Sequence, residues 1–264
     1  MHWFLAYLAI GAFAGFIAGL LGIGGGAVIV PLVVLAFSAQ GLSQEHILHM
    51  ALATTMAAIL FTSLASARAH HARGSVDWEM ARLMVPGTLV GAFAAALIAG
   101  MIPTRQLAVI FTALMFVAAT QVILDLKPKT AAARPGTAAI FGGGAFIGAL
   151  SSLLAVGGSF LAIPFLSWCN VPLRRAIGTA TANGVPIAIA GTAGYVLQGW
   201  GRSGLPQWSL GYVYLPALAL IALGSIFTAS SGAALAHRLP VKQLRTLLAL
   251  TLYAFAIYLL IRLW

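Results

Sequence analysis

Charged residues and cysteine are scarce in this sequence of 264 residues. Only 7% of the residues are charged, and the four acidic residues are Glu45, Asp77, Glu79 and Asp125. Soluble domains carry about a quarter of their residues as charges, so this composition excludes an ordinary soluble fold. The single cysteine, Cys169, excludes an intramolecular disulfide or a cysteine-based metal cluster.

Clusters of catalytic or metal-binding side chains are missing as well. His70 and His71 form the only adjacent histidine pair, and neighbours in sequence do not face each other on a helix. We therefore expect no bound metal and no cofactor. The phosphate-binding loop of ATPases is absent. No acidic residue falls inside a predicted membrane-spanning core, so the sequence offers no carboxylate for an intramembrane proton relay or cation site.

Apolar residues dominate what is present. They make up 61% of the chain, and the net charge of +10 comes from 14 Lys and Arg residues against the four acids. The basic residues lie between apolar segments, where they orient a protein in the bilayer rather than bind nucleic acid. The composition therefore predicts an all-α polytopic membrane protein whose partners are the lipid bilayer and a small substrate. It leaves homo-oligomerisation open.

An internal repeat divides the chain into two predicted units, residues 1–128 and 129–264. The segment Gly-Ala-Phe-Ala-Gly that begins at Gly11 recurs as Gly-Ala-Phe-Ile-Gly at Gly144, with a following Leu-Leu, Gly-Gly and Pro at unchanged spacing. Such collinear matches indicate duplication rather than shared low complexity. Further matched pairs are Ala51 with Ala176, Thr54 with Thr179, Trp78 with Trp208, Pro86 with Pro216, and Leu107 with Leu244.

Each repeat contains five predicted apolar segments. Residues 3–37 are too long for one crossing, since as a helix they would measure roughly 50 Å against a hydrocarbon core of about 30 Å. The glycines at 22 and 24–26 mark the break, and the short second part favours a hairpin that re-enters and returns to its starting side. The segments are 3–21, 27–37, 46–67, 80–101 and 105–125, then 137–154, 159–169, 174–197, 208–236 and 241–262.

The distribution of basic residues supports two such hairpins. If both return, each repeat makes three further crossings and the second repeat is inverted relative to the first. Eleven of the 14 basic residues then lie on one face, and only Arg105, Arg202 and Arg262 lie on the other. If the broken segments instead cross the membrane, eight of the basic residues lie on one face and six on the other. Because basic residues favour cytoplasmic loops, we predict that both termini lie outside. The eleven are Arg68, Arg73, Arg82, Lys127, Lys129, Arg134, Arg174, Arg175, Arg238, Lys242 and Arg245.

The broken segments are also the predicted binding site. A helix that begins at a glycine break presents N–H groups without intrahelical partners and a partial positive charge, which an anion can satisfy. Inverted repeats with discontinuous helices are typical of transporters that bind substrate near the bilayer midplane. Polar residues in the segment after each break extend the site. The candidate residues are Gly24, Gly25, Gly26, Thr54, Thr55, Gly157, Gly158, Ser159, Thr179, Thr181 and Asn183.

Not every unusual residue needs a binding role. Gly11, Gly15, Gly144 and Gly148 are spaced by four, which favours close helix packing. Pro31 and Pro164 are interpreted as structural, since each frees a carbonyl group for a bend. Arg68, Arg73 and the histidine pair are interpreted as topology determinants, with a funnel for anions as the alternative.

Three stretches of the first repeat resemble the TauE/SafE sulfite exporter family. They are Gly22-Ile-Gly-Gly-Gly-Ala-Val-Ile-Val-Pro31, Ala51-Leu-Ala-Thr-Thr55 and Gly74-Ser-Val-Asp-Trp78. In the second repeat, residues 156–164 and 176–180 resemble that family's second half. The resemblance covers nearly the whole chain. It implies a bacterial-type inner-membrane permease for sulfite, sulfonates or related organosulfur anions.

The sequence therefore predicts a secondary carrier that exports small oxyanions by alternating access. The alternatives are an anion channel on the same scaffold, which would lack trans-stimulation, and an uptake permease for an organosulfur compound. A membrane enzyme or an assembly scaffold is disfavoured. The sequence carries no catalytic constellation of His, Cys and carboxylate, and a scaffold would not need two broken helices.

Overall fold

The computed structural model describes residues 2–21, 26–124, 135–236 and 241–263, and this part of the chain is almost entirely helical. A short antiparallel ladder pairs β1 (Ser209–Leu210) with β2 (Val213–Tyr214). The first five helices are α1 (His2–Leu21), α2 (Gly26–Ala39), α3 (Ile47–Ala72), α4 (Trp78–Met101) and α5 (Thr104–Leu124). The second five are α6 (Thr137–Leu154), α7 (Ser159–Trp168), α8 (Leu173–Gly199), α9 (Leu215–Ala236) and α10 (Val241–Leu263).

Several helices have the length and composition of membrane spans. Within the described residues, α3, α4, α6 and the 104–121 portion of α5 qualify, and shorter apolar helices cover 3–17, 28–39 and 215–228. Large apolar side chains such as Phe13, Phe146 and Phe227 point outward and are more than half exposed. An apolar exterior of this kind needs hydrocarbon rather than water around it.

The predicted segments match the helices closely, with one clear exception. The predicted segment 208–236 begins too early, because residues 209–214 form the ladder and α9 begins at Leu215. Trp208 precedes the ladder with a positive φ of 67°, a turn conformation that a helix does not allow. Helix α3 also continues to Ala72, beyond the predicted end at 67.

Helices α3 and α8 cross at the centre of the molecule and run antiparallel. Glycines on α8 allow this close approach, because a Cβ atom at each would collide with α3 or with the turn after it. Successive contacts along α8 meet residues with decreasing numbers on α3, so the two helices are antiparallel. Their central parts therefore lie side by side. The contacts are Gly178 with Ser75, Gly184 with Ser63, and Gly191 with Met56.

Two further helix pairs flank this centre, α1 with α9 and α4 with α6. Their glycines lie against the backbone of the opposite helix, which confirms the packing interpretation of the four-residue spacing. Numbers rise together in both pairs, so the helices of each pair run parallel. The contacts are Gly11 with Ile221, Gly15 with Ser225, Gly144 with Met84, and Gly148 with Thr88.

These contacts correct part of the sequence alignment between the halves. Gly11 and Gly144 contact Ile221 and Met84, two residues that are 137 positions apart. The match of Leu107 with Leu244 has the same offset. The matches of Trp78 with Trp208 and Pro86 with Pro216 are therefore wrong by seven residues. The reason is the connection before α9, where residues 200–214 include the ladder and replace the short link 73–77 of the first half.

The half-length helices fold back on the helices that precede them. The Tyr7 hydroxyl near the start of α1 donates to Gln40 Oε1 just beyond the end of α2, at 2.6 Å. The Tyr7 ring also meets the Phe37 ring at 6.1 Å. In the second half, the ring of Phe165 on α7 lies against Gly143 near the start of α6. Each half thus contains a helical hairpin, α1–α2 and α6–α7.

Candidate functional site

A sharp break separates α6 from α7. Ala155 ends α6 in the left-handed conformation, with φ 46° and ψ 44°, and the Val156 N–H closes the helix by donating to the Ser151 carbonyl at 2.9 Å. Gly158 then begins α7 with φ 77°, a value that glycine adopts without strain. The N–H groups of the next residues along α7 have no acceptor within their own helix, except where they reach back to the Gly158 carbonyl.

This break packs against the middle of α8. A Cβ atom on Gly158 would lie 2.5 Å from Ile187 Cδ1, and one on Gly184 would lie 2.6 Å from the Gly157 carbonyl oxygen. A larger residue at Gly158 would therefore have to move the Ile187 side chain and adopt a strained backbone conformation. Pro186 lies in the same stretch of α8 and leaves the Ala182 carbonyl without its usual helical donor.

The start of α2 meets the same break from the other side. Gly26 lies against the Ala155 carbonyl and the Ile59 side chain, which belongs to the middle of α3. The predicted residues Gly26, Gly157, Gly158 and Ser159 are thus brought together where α3 and α8 cross. Gly24 and Gly25, also predicted, lie outside the described residues.

Buried hydrogen-bond donors without partners lie around the break. Four side chains that are at most 1% exposed have a polar atom with no hydrogen-bond partner among the described residues. Leaving such an atom unpaired costs about 1–3 kcal/mol, so a ligand or a water that accepts a hydrogen bond would stabilise each of them. The atoms are Thr55 Oγ1, Ser151 Oγ, Ser152 Oγ and Asn183 Nδ2. Thr112 Oγ1, Thr192 Oγ1 and Ser209 Oγ are unpartnered in the same way.

Two of these donors lie close to the glycine break. Ser151 Oγ is 3.7 Å from the position that a Cβ atom on Gly158 would occupy. Asn183 precedes Gly184, which contacts Gly157. The Val85 carbonyl and Asn183 Oδ1 lie 3.0 Å and 3.2 Å from Thr88 Oγ1, and one of them accepts its single proton. Asn183 Nδ2 has no hydrogen-bond partner among the described residues. Thr55 shares a face of α3 with Ile59, four residues on.

The remaining predicted threonines already have other hydrogen-bond partners. Thr54 Oγ1 accepts from the Tyr214 N–H at 3.0 Å, and Thr179 Oγ1 accepts from the Asp77 N–H at 2.8 Å. Thr54 of the first half thus contacts the residue that precedes α9, and Thr179 of the second half contacts the residue that precedes α4. Thr181 Oγ1 donates to the Ile177 carbonyl at 2.8 Å within its own helix. A direct part for these three residues in binding stays a prediction.

Charged side chains stay away from this centre in the described part of the chain. Arg68, Arg73, Arg174 and Arg175 are exposed near the ends of α3 and α8, and Asp77 caps α4 through the Met80 N–H at 3.0 Å. The polar groups at the break are therefore neutral N–H, O–H and amide donors. They can bind an anion through dipoles without a fixed countercharge.

Sequence reasoning missed Ser151 and Ser152 as candidate ligands. Both follow Gly148 by three or four residues, so they continue the helix face that carries Gly144 and Gly148. Gly144 and Gly148 on that face pack on α4, and the two serines lie in the last turn of α6, next to the break. The helical spacing was the available signal, because a serine pair inside an apolar run otherwise looks unremarkable.

The apolar exterior, the multiple spans and the neutral donors define the class of this molecule, which is a multi-pass membrane protein of the transporter type. Its family is shown by a match to the model for the sulfite exporter TauE/SafE, which covers residues 7–259. The chain belongs to that family.

Curated relatives carry the general name of probable membrane transporter proteins. One from Haemophilus influenzae is 36% identical over 256 residues, covering 96% of both chains. YdhB from Bacillus subtilis is 26% identical over 194 residues, covering 70% of this chain and 76% of its own. One from Xylella fastidiosa is 26% identical over 273 residues, covering 96% and 94%. No solved structure matches the chain.

Proposed function

We propose that this protein is a secondary transporter that exports small oxyanions such as sulfite or sulfonates across the inner membrane. The observation that carries the proposal is the pair of buried, unpartnered donors beside the α6–α7 break, Ser151 Oγ and Asn183 Nδ2. The family name supports sulfite or a related anion as the substrate.

The chemistry of the break fits a pyramidal or tetrahedral oxyanion. Such an ion has several acceptor oxygens, and it would meet the N–H groups at the start of α7, the Ser151 hydroxyl and the Asn183 amide at once. Bonds to an ionised acceptor are about twice as strong as neutral ones. The start of α2 at Gly26 closes the other side of the site.

Neutral donors favour a single negative charge. A second charge would carry a large desolvation cost that only a buried cation could offset. All seven arginine side chains whose exposure is described, such as Arg68 and Arg202, are exposed. We therefore infer that the transporter prefers hydrogen sulfite or sulfonate monoanions to the sulfate dianion.

The two halves, 1–128 and 129–264, are proposed to be inverted in the membrane around re-entrant hairpins. Tyr7, Thr54 and Tyr214 bring the starts of α1, α3 and α9 to one end of the molecule. Asp77 and Thr179 bring the starts of α4 and α8 together, and α8 runs antiparallel to α3. This arrangement supports outside termini. Reagents applied from outside should therefore reach tags at both termini, and protection of both tags would contradict the topology.

We propose that transport proceeds by alternating access. The half-helices α2 and α7 meet beside the crossing of α3 and α8, so a rocking motion of one half against the other would open the site to either side. Export of a monoanion needs no coupled ion, because leaving a negative cytoplasm is favourable by about 2.3 kcal/mol per 100 mV.

The test is uptake of labelled sulfite by proteoliposomes at set membrane potentials. Methanesulfonate and sulfoacetate serve as competing sulfonates, and sulfate and chloride serve as comparison anions. Saturable flux that follows the potential and rises with unlabelled sulfite on the opposite side is expected. Flux without this trans-stimulation would indicate a channel, and the absence of flux for every anion would contradict the proposal.

A further inference from the structure

An apolar groove of about 340 Å³ lies between α5, α6 and α7. Leu114, Val117, Leu150, Leu161 and Phe165 form much of its wall, and Gln121 is the one polar side chain among the described residues that line it. The Val117 and Phe146 side chains on its rim are 63% and 64% exposed. The groove therefore opens onto the apolar exterior of the molecule.

The corresponding place in the first half is filled by protein. There Ile17 and Val28 form a small cluster against which Leu32 and Phe255 pack. Under the spacing that relates the halves, the members of this cluster correspond to wall residues of the groove. The pairs are Ile17 with Leu150, Val28 with Leu161, Leu32 with Phe165, and Phe255 with Ala118.

Phe255 with Ala118 is the one of these four pairs in which the second half has the smaller side chain. Phe255 puts a phenyl ring between α10, α1 and α2, whereas Ala118 puts only a methyl group at the corresponding point of α5. Gly143 also takes the place of Ile10, and the Phe165 ring lies directly on it. The second-half hairpin therefore lacks a hydrocarbon group that the first-half hairpin receives from its own chain.

We propose that this groove binds one acyl chain of a bilayer phospholipid, which takes the position that Phe255 occupies in the other half. Water is a poor occupant, since a bound water needs two to four polar partners and the groove offers a single amide. The walls belong partly to α5 and α6, whose spans are only 33% and 39% buried within the molecule. These helices face the lipid, so acyl chains have direct access.

The position of the groove gives the lipid a structural part. It lies behind α7, the half-helix whose first turn forms the α6–α7 break, and Leu161 is shared by that turn and the groove wall. A bound acyl chain supports α7 without a covalent connection. The inference uses only the membrane location, and it stands whether or not the protein moves anions.

Native mass spectrometry of the full chain, released from phosphatidylcholine nanodiscs into mild detergent, tests this assignment. The unmodified protein should retain a phospholipid, and Ala118→Phe should retain none, because the ring fills the groove. Phe255→Ala should retain an additional one, because it opens the matching space in the first half. Ala113→Phe, at an exposed position of the same helix, is the matched control and should behave as the unmodified protein.

A second measurement is made in the bilayer, so its result does not depend on the lipid remaining bound in detergent. The Trp168 ring lies 5.8 Å from the Phe165 ring, so phospholipids with brominated acyl chains should quench its fluorescence in a variant whose other tryptophans are Phe. Quenching by a specifically bound chain should saturate at a low fraction of brominated lipid. Ala118→Phe should abolish this saturable quenching. Equal retention and equal quenching in Ala118→Phe and Ala113→Phe would overturn the proposal. So would a dimer that only Ala118→Phe disrupts, since a second copy would then occupy the groove.

Discussion

The two hairpins share a backbone plan and differ in chemistry. Where the second half has Ser151, Ser152 and Ser159 around its break, the corresponding sequence positions of the first half hold alanine or glycine. Asn183 on α8 corresponds to Ala58 on α3. The α1–α2 hairpin has instead the Phe255 ring of α10 packed against it, where α5 offers the α6–α7 hairpin only Ala118. Three of the four unpartnered donors around the break, those of Ser151, Ser152 and Asn183, thus lie in the second half, and Thr55 lies in the first.

This asymmetry bears on how the proposed site works. A substrate bound by the second-half donors would lie off the pseudo-symmetry axis, with the start of α2 as a backbone wall. The polar hairpin would hold the anion, and the apolar hairpin would mainly close the site. Changes at the second-half break should therefore affect transport, while changes at corresponding first-half positions should affect packing.

The largest effect is expected from Gly158→Leu. A Cβ atom at this position would lie 2.5 Å from Ile187 Cδ1, and the residue would have to adopt φ 77°, so the Ile187 side chain and the strained backbone of the break would both have to adjust. A displacement of about 1 Å at a binding site can lower a rate roughly a hundredfold. The measurement is sulfite flux in proteoliposomes, normalised to inserted protein.

Gly204→Leu is the matched control for Gly158→Leu. Gly204 has a similar φ of 83°, but nothing lies within 4 Å of its Cβ position. This variant has the same backbone strain without the collision, and it should transport nearly normally. Full activity in Gly158→Leu would remove the α6–α7 break from the transport mechanism.

Asn183→Asp should have the next largest effect. The substitution keeps the oxygen that lies 3.2 Å from Thr88 Oγ1, removes the free Nδ2 donor and adds a negative charge beside the proposed anion. Loss of a hydrogen bond to a charged group costs about 1.5–3 kcal/mol, and repulsion adds to that. Competition binding of sulfite should weaken at least about tenfold. Thr62→Val should bind normally, because the Thr62 hydroxyl donates within its own helix. Equal affinity in both variants would place the anion elsewhere.

Ser151→Ala and Ser225→Ala compare a buried serine without a hydrogen-bond partner with one that has partners. Both serines are 1% exposed, but Ser225 Oγ donates to the Gly11 and Ile221 carbonyls at 3.0 and 2.7 Å. Ser151 Oγ has no partner among the described residues. Ser151→Ala should therefore lower anion affinity by about 1.5 kcal/mol, roughly tenfold, without loss of stability. Ser225→Ala should lower the melting temperature and leave affinity unchanged, and the reverse pattern would contradict the assignment.

Much of this architecture is predictable from the sequence because its causes are local. Glycine breaks, segment lengths and the spacing of Gly11 and Gly15 follow from helix geometry alone. The register after α8 is not predictable in the same way. The matches of Trp78 and Pro86 arose from composition, and only the contacts of α4 and α9 correct them.

The residues of the candidate site also divide into those that a local pattern identifies and those that only the three-dimensional arrangement identifies. Gly158 and Asn183 stand out because glycine pairs and a lone amide are costly inside a membrane. Ser151 and Ser152 do not stand out, since a helical serine often bonds its own backbone, and only the three-dimensional arrangement leaves them unpaired. Similarly, the partners of Thr54 and Thr179 lie 160 and 102 residues away, beyond the reach of any local pattern.

The smallest expected effects concern those two threonines, where the halves behave alike. Thr54→Val and Thr179→Val would each leave a backbone N–H without its acceptor, that of Tyr214 or that of Asp77. Each loss should reduce the free energy of unfolding by about 1–3 kcal/mol. Because the two bonds lie at opposite ends of the molecule, the double variant should show the sum.

Thermal unfolding in detergent measures these losses, with Thr62→Val as the control. Thr62 Oγ1 donates to the Ile59 carbonyl of its own helix at 3.0 Å, so its replacement leaves no N–H unpaired and should change stability little. If only one of the two bond-breaking variants is destabilised, the halves differ in how they are held together as well as in their donors. Equal losses would instead confine the difference between the halves to the break and the groove, because the bonds that join the halves would then be equivalent.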